Sequence, residues 1–389
     1  MQKKLIALAV AGLVSGAAYA QTNVTIYGVA DASFEVVQAK SAEVNGQDIK
    51  NFSRVNSNSS ILGFRGSEDL GGGLKALFQM ETNINLEAGG LNGSQRDTFV
   101  GLQGNAGQIK LGFLTGSARS LGATVDLVAG ATGVASAIPL MGKLGGDNGA
   151  GFSYWDTRIA NAVQYVTPKF GGFEVRALYG AGENRATSGT AVNKAGKTYE
   201  IGAFYNNGPW YAGLVYGQAK AERAGFVGGP TAALPGSGLG TLEKRSIIRF
   251  GGTYTFQAGH KIAVLVEQNK ADDWSGLNVA GEDVKSRTYG LGGKFKVSQP
   301  GAIIAQVYHV AKLKGADDAN DYKANFFSVG YEHSLSKRTM IRAFYSRINN
   351  KDAALYNYGI GRITQGPTDT GIGVGSAPTA FSVGLRHTF

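Results

Sequence analysis

No cysteine occurs among the 389 residues, so a disulfide framework and a thiolate metal site are both excluded. Proline is scarce, with 8 residues at positions 139, 168, 209, 230, 235, 300, 367 and 378. Histidine is scarcer still, at 4. After Ala20 no run approaches the ~20 apolar residues that a membrane-spanning helix needs. No linker, charge block or change of composition divides Gln21 from Phe389. Length alone would suggest two or three ordinary domains, but this uniformity points to one large domain of many similar parts.

The first residues stand apart. Met1-Gln2-Lys3-Lys4 is a short basic start, Leu5 to Val14 is apolar except for Gly12, and Ala18-Tyr19-Ala20 has the small-x-small form of a cleavage site. That is the anatomy of a secretory signal peptide over residues 1–20. Its apolar core is too short for a permanent anchor, so a mature domain over 21–389 is expected. Glycine is abundant, at 59 residues, roughly twice the usual share. The formal charge of +10 becomes +8 once Lys3 and Lys4 are removed. On an exported chain this excess argues for anionic solutes or a membrane surface, and against nucleic acid.

From Val24 onward the chain alternates apolar and polar residues over stretches of about ten, the period of a strand with one apolar face. Val24, Ile26, Ala30, Phe34 and Val36 alternate with Thr25, Asp31, Ser33 and Glu35. Sixteen such segments are expected, at 24–37, 59–69, 74–84, 95–103, 108–114, 156–166, 173–182, 198–206, 210–218, 243–256, 260–270, 285–297, 302–314, 323–334, 340–349 and 380–389. The connections alternate between short turns, such as Asp69 to Gly73, and long loops at 38–58, 85–94, 115–155, 183–197, 219–242, 271–284, 315–322 and 350–379. Short turns at one end and long loops at the other are expected of an outer-membrane barrel. All eight prolines fall in these connections, as a residue that cannot donate to a ladder should. A large soluble sandwich would also alternate. The apolar faces here, however, carry aromatics near their ends (Tyr179, Tyr199, Tyr205, Trp210, Tyr216, Tyr254, Phe256), as interfacial girdles do. The chain also stops on a strand, at Phe389.

In a barrel, mid-strand charges should face the lumen, because the outer face meets hydrocarbon. The alternation puts Arg65, Lys75, Arg96, Lys110, Arg158, Arg176, Arg245, Arg249, Lys261, Lys294, Lys296, Lys312, Arg342 and Arg386 inside. The inward acids are Asp31, Glu35, Glu81, Glu174, Glu200, Glu267 and Glu332. Asp97, Lys244, Arg287 and Arg347 are expected outside, at the long-loop ends. The two-to-one basic bias, focused by a low-dielectric wall, should favour anions. The stretch 115–155 is too long and too apolar to stand in water, with Leu121, Val125, Leu127, Val128, Ile138, Leu140 and Met141. It should fold into the barrel and narrow it.

Several segments resemble the trimeric general porins of Gram-negative β-proteobacteria. These are Val24 to Gly28; Gly63-Phe64-Arg65-Gly66-Ser67-Glu68-Asp69-Leu70-Gly71-Gly72-Gly73-Leu74-Lys75-Ala76; Arg96-Asp97-Thr98-Phe99-Val100-Gly101-Leu102; Asn161 to Tyr165; Tyr331 to Thr339; and Gly384 to Phe389. The resemblance runs the length of the mature chain. It implies an all-β, 16-stranded antiparallel transmembrane barrel with short periplasmic turns, long extracellular loops and an inward-folded third loop. It further implies a homotrimer in the outer membrane, in contact with lipid and lipopolysaccharide, passing small ions and solutes without a cofactor or metal. By the resemblance, Asp126-Leu127 and Ala131-Thr132-Gly133 belong to the constriction segment, and Arg96 and Arg158 match wall arginines that face it. A third arginine is expected where Ile61 stands. Arg65, Lys75, Lys110 and Arg176 are the remaining candidate pore-lining cations. Phe389 matches the signal read by the barrel-assembly machinery.

Other classes fare worse. A hydrolase needs a nucleophile and a base in register. Of the four histidines, His260, His333 and His387 fall near short turns and His309 on an outer face. Gly71-Gly72-Gly73 lacks the following helix and Lys-Ser/Thr of a phosphate cradle. A purely structural barrel or adhesin would be plugged by bulky side chains, whereas Gly63, Ser67, Gly202, Gly251, Thr253, Gly290, Gly292 and Ser328 are small inward positions. A barrel with a narrower, substrate-specific uptake role remains the alternative to a general diffusion channel.

Overall fold

The computed structural model describes residues 23–92, 96–146, 153–185, 195–220, 244–274, 282–364 and 371–389. The expected signal peptide therefore lies outside the described residues, as do Pro230, Pro235 and Pro367.

The alternating segments form strands β1 (Asn23–Lys40), β2 (Ile49–Ser57), β3 (Ser60–Gly71), β4 (Leu74–Ile84), β5 (Leu91–Asn92), β6 (Thr98–Gly104), β7 (Gly107–Thr115), β8 (Arg158–Val166) and β9 (Phe173–Arg185). They continue as β10 (Ala195–Asn207), β11 (Trp210–Lys220), β12 (Lys244–Thr255), β13 (Lys261–Trp274), β14 (Glu282–Lys296), β15 (Gly301–Val310), β16 (Ala324–Ser334), β17 (Thr339–Asn350) and β18 (Ala377–Thr388). Every pairing is antiparallel, and β1 bonds to β18 on one side and to β2 and β3 on the other, which closes the sheet on itself. β2 and β3 are one barrel strand interrupted at Asn58 and Ser59, since both pair with β1. β5 and β6 are likewise one strand, since both pair with β4. The result is a closed 16-stranded antiparallel barrel. Closure removes every unpaired edge, the one arrangement in which strands can cross hydrocarbon.

Apolar side chains of one parity stand exposed on the outside, among them Val24, Ile26, Phe34, Leu214, Ile248, Leu291 and Val383. Aromatic rings flank that band in two levels. Phe173 and Tyr205 are 4.7 Å apart, and Trp210 and Tyr254 4.5 Å apart, by the short turns. Tyr179 and Tyr199 form a pair at 5.2 Å farther up the same strands. These are the girdles that the sequence pattern implied.

Most strand ends shift by one to four residues from expectation, and four differences change how a residue is placed. β1 runs on to Lys40 and its neighbour starts at Ile49, so the first loop spans 41–48 rather than 38–58. β15 ends at Val310, which leaves Lys312 beyond the strand and exposed instead of inside the lumen. Alternation stops applying where the ladder stops. Pro378 sits in β18, at its second residue, opposite Ala39. A strand start tolerates proline because few ladder donors are needed there. Asp97 falls in the break between β5 and β6, where no strand parity holds, and it points inward to Arg158.

The described residues between β7 and β8, 116–146 and 153–157, are folded inside the barrel. It carries helix α1 (Ser117–Val125) and two short 3₁₀ turns, Ile138–Leu140 and Tyr154–Asp156. Leu121, Val125, Leu127, Val128, Ile138, Leu140 and Met141 are all buried. They form one cluster with inward residues of the wall, including Phe204, Val215, Ile247, Leu265, Ile304, Tyr308 and Phe344. The described parts of the last long loop, 351–364 and 371–376, also turn inward. Tyr356, Tyr358 and Ile363 are fully buried, the Tyr358 hydroxyl donates to the carbonyls of Ser346 and Pro378, and the amide of Leu355 donates to the carbonyl of Gly145. This second insertion was not apparent from the sequence.

Candidate functional site

The wall of β10 to β17 presents apolar residues and charges inward, and several of the charges are used by the inserted loop. Glu200 of β10 accepts the backbone amide of Ala118 at 3.1 Å, placing a carboxylate at the N-terminus of α1, where the helix dipole favours it. Gly116 permits the approach, since a Cβ there would lie 2.5 Å from Glu200 Oε1. Arg249 of β12 is fully buried. Its Nε donates to Glu267 at 2.6 Å, and its two terminal nitrogens donate to Asp156 at 2.7 and 2.8 Å. A fourth bond reaches the carbonyl of Ala118 at 2.7 Å. Burial acts to raise the Asp156 carboxyl, but the guanidinium beside it holds that group below its usual range.

Farther along the wall, Gln306 accepts the amide of Leu127 at 3.0 Å. Glu332 accepts that of Ala129 at 3.0 Å, and Arg342 donates to the carbonyl of Ala129 at 3.1 Å. The small inward residues here do not keep the lumen open. A Cβ at Gly202 would lie 2.9 Å from Ser117, one at Gly251 2.9 Å from Val125, and one at Gly292 3.0 Å from Leu127. They make room for the loop.

Asp126 belongs to this anchoring. Its carboxylate accepts from Val128 N at 3.1 Å, Ser136 Oγ at 2.5 Å, Ala137 N at 3.0 Å and Gln306 Nε2 at 3.0 Å. Burial pushes its carboxyl above the usual range. Its acceptor sites are filled by the loop itself and by Gln306 of β15, and it makes no ion pair with Arg96 or Arg158 among the described residues.

On the opposite wall, β1 to β9, the candidate cations are present and arranged differently. Arg96 pairs with Glu81 at 3.2 Å and also reaches Asn83. Arg158 pairs with Asp97 at 2.9 Å, and Asp97 accepts the Thr115 amide and hydroxyl as well. Each arginine therefore has an acid beside it, supplied from a neighbouring strand or from the strand break, where alternation within a single strand does not reveal it. Arg176 pairs with Glu174 at 2.6 Å. Arg65, Lys75 and Lys110 on this wall, and Lys261 of β13 and Lys296 of β14 across from it, have no carboxylate partner among the described residues.

A residue that sequence reasoning missed joins Arg96 and Arg158. Arg119 projects from α1, donates to the Asp156 carbonyl, and interacts electrostatically with Arg158, Arg96 and Asp97. Ile61, where a third wall arginine was expected, is buried, while the loop helix brings an arginine to the same cluster. A charged residue within a loop otherwise read as apolar was the available signal.

At the seam, Asp31 of β1 takes Arg342 at 2.5 Å and Arg386 at 2.6 Å. Phe389 exchanges both backbone hydrogen bonds with Gly28 at 3.1 Å, and its ring lies where a Gly28 side chain would be.

The arrangement is a polar lumen inside a closed barrel, half-filled by a loop, with cations on the side left open. The sequence pattern of the Gram-negative porins matches residues 7–353. The chain belongs to the Gram-negative porin family. It is 35% identical over 393 residues to outer membrane porin protein 32 of Delftia acidovorans, with 100% of both chains covered. Among solved structures it is similar to the anion-selective porin from Comamonas acidovorans, with a TM-score of 0.74 and 30% identity over 95% of this chain and 100% of that one. The trimer form of Vibrio cholerae OmpT shares the fold, with a TM-score of 0.64 and 18% identity over 95% of this chain and 99% of that one. This porin is thus an outer-membrane protein and a passive channel for small solutes. Its architecture and its relatives are those of a channel rather than an enzyme.

Proposed function

We propose that this porin is a general diffusion channel that prefers anions, working as a homotrimer. One observation carries the anion preference: Arg65, Lys75, Lys110, Lys261 and Lys296 line the lumen with no carboxylate partner among the described residues, whereas six of the seven inward acids, Glu81, Asp31, Glu35, Glu174, Glu267 and Glu332, each hold a cation and the seventh, Glu200, is buried against the Ala118 amide of α1. The net field inside is positive and is focused by the low-dielectric wall. The similarity to an anion-selective porin supports the same reading.

Arg96 and Arg158 have a distinct part in it. They neutralise Glu81 and Asp97 where α1 meets the wall, and with Arg119 they tip that cluster to positive. The deciding measurement is the reversal potential across a planar bilayer in a potassium chloride gradient. Anion permeability should exceed cation permeability, most clearly at low salt, because the Debye length of ~8 Å at physiological ionic strength shortens as salt rises. Equal or cation-favouring permeability would refute the preference.

The homotrimer is supported by the porin relatives and by the trimeric fold neighbour. Ala30 and Ala32, on the outer face of β1, leave room for close packing between subunits, while Gly28 is already covered by Phe389. A monodisperse monomer by native mass spectrometry in mild detergent would count against it. The exposed apolar outer band fits a setting of lipid and lipopolysaccharide, reached after cleavage of residues 1–20. Phe389 serves as the assembly signal. Deleting it should lower the amount of porin in the outer membrane by more than its stability changes, and normal levels in cells would exclude that role.

A further inference from the structure

On the lipid-facing side of β10 to β13, charges line up across the sheet. Lys197 of β10 stands directly opposite Lys220 of β11, and Lys220 directly opposite Lys244 of β12. Lys244 is in turn opposite Asp272 of β13. The three lysines share the parity of the exposed apolar residues of their strands, Ile201, Tyr216 and Ile248, so they point away from the lumen. Asp272 is taken by Lys244 at 2.5 Å and by Lys270 at 2.7 Å, and Lys270 also holds Asp283 at 2.8 Å. Lys197 and Lys220 are exposed and have no carboxylate partner among the described residues.

The register fixes the height of this row. One step toward the middle of the barrel, on the same face, stand Tyr199, Gln218 and Ser246, opposite one another in that order. One step further stand Ile201, Tyr216 and Ile248. Each step is two residues, or ~7 Å along a strand. Tyr199 belongs to the aromatic pair with Tyr179 at the long-loop girdle. The lysines therefore sit just outside the hydrocarbon band, at the level of lipid headgroups, on the end where the long loops face the cell exterior. This face lies across the barrel from Ala30 and Ala32, where subunits are proposed to pack, so it meets lipid.

A lone lysine at an interface needs no partner but water. Like charges directly opposite in a ladder differ, because side chains about 5 Å apart repel and weaken the pairing. Two such pairs follow one another here, and Asp272 relieves the repulsion only at the Lys244 end. An anion seated between the ammoniums would relieve the rest. We propose that Lys197 and Lys220, flanked by Lys244, form a lipid-facing site for the phosphate groups of lipopolysaccharide. The acyl chains of that lipid lie on Ile201, Tyr216 and Ile248 while its phosphate reaches the lysines. A free anion gains only the second contact. The site rests on the reading that the outer band stands in lipid and lipopolysaccharide.

The test titrates full-length porin in mild detergent with lipid A, the phosphorylated glycolipid base of lipopolysaccharide, and follows bound lipid by native mass spectrometry. Lipid A stripped of its phosphates, phosphatidylcholine and inorganic phosphate are the other probes. Lipid A should bind more tightly than its dephosphorylated form and more tightly than inorganic phosphate. A lysine beside an anionic lipid surface contributes about five-fold, so Lys197→Gln with Lys220→Gln should weaken lipid A binding by about twenty-five-fold. Phosphatidylcholine binding should not change in that variant. Lys40→Gln with Arg347→Gln removes the same charge from exposed long-loop ends of β1 and β17 and should leave lipid A binding nearly unaltered. Equal affinity for the two forms of lipid A, equal losses in the two double variants, or equal affinity for inorganic phosphate and lipid A would overturn the site. Failure to bind any lipid, phosphatidylcholine included, would instead refute the lipid setting on which the site depends.

Discussion

The two sides of the barrel use the same kinds of residue for opposite purposes. On β10 to β17, the buried inward charges end on the inserted loop: Glu200 on α1, Arg249 on Asp156, Glu332 and Arg342 on Ala129, while Lys261, Lys294 and Lys296, nearer the short turns, do not. On β1 to β9, inward charges face one another or the lumen. Arg249 and Glu267 are fully buried, while Arg65 and Lys75 are exposed. The difference lies in what covers each wall. A charge under a packed loop has lost its water and must find a partner, because an unpaired buried charge is very costly. A charge on the open side keeps its water and remains available to passing ions. Inward charge therefore divides into anchoring charge and transport charge, and only the second contributes to selectivity directly.

This division can be broken most severely at Arg249. Arg249→Met strands Glu267 and Asp156 without their cation, and the loss of one partner of a buried pair costs about 3–5 kcal/mol. A lower melting temperature in detergent is expected. A larger single-channel conductance should accompany it as the loop detaches from its wall. A milder break is Gly251→Val, which places side-chain atoms against Val125 and Leu121. Overpacking of this kind costs about 1–3 kcal/mol, and the same two measurements should move in a smaller degree.

On the open side the comparison is sharpened by charge rather than by stability. The double change Arg96→Gln with Arg158→Gln leaves Glu81 and Asp97 uncompensated beside α1, so the reversal potential in a potassium chloride gradient should shift clearly toward cations. An unchanged potential with altered gating noise would mean that both arginines act only as braces. The smallest structural effect belongs to Lys110→Gln. Its stability should fall by no more than about 1 kcal/mol, the size of a cation–π contact such as the one it makes with Phe99, while anion preference falls measurably. A large loss of stability there would show that the two walls are not distinct in the way described.

Much of this was legible in the chain. Period-two alternation located all sixteen barrel strands because each has one face in hydrocarbon and one in water, and the span 74–84 matches to the residue while the others shift at one or both ends. Apolar residues in 115–155 foretold the inward fold for a related reason: they had to be covered. The partners of Arg96 and Arg158 were not legible. Glu81 comes from the neighbouring strand β4 and Asp97 from a break in the ladder, and alternation within one strand is silent about both. Asp126 was assigned to the pore, and its four hydrogen-bond donors turn it into the loop. Arg119 was passed over because it sits among the apolar residues of that loop.

The sequence by itself determined the barrel, its strand phase and the sign of the charge inside, since these follow from local alternation against two solvents. Only the tertiary structure decided which of those charges are spent. Glu200 and Ala118, or Arg249 and Asp156, are 82 and 93 residues apart in the chain. Whether such groups meet depends on where the inserted loop comes to rest, and that is set by the shape of one wall: small at Gly202, Gly251 and Gly292, apolar at Phe204, Ile247 and Leu265. Complementarity of that kind is a property of surfaces assembled from many strands, and no periodicity within one strand encodes it.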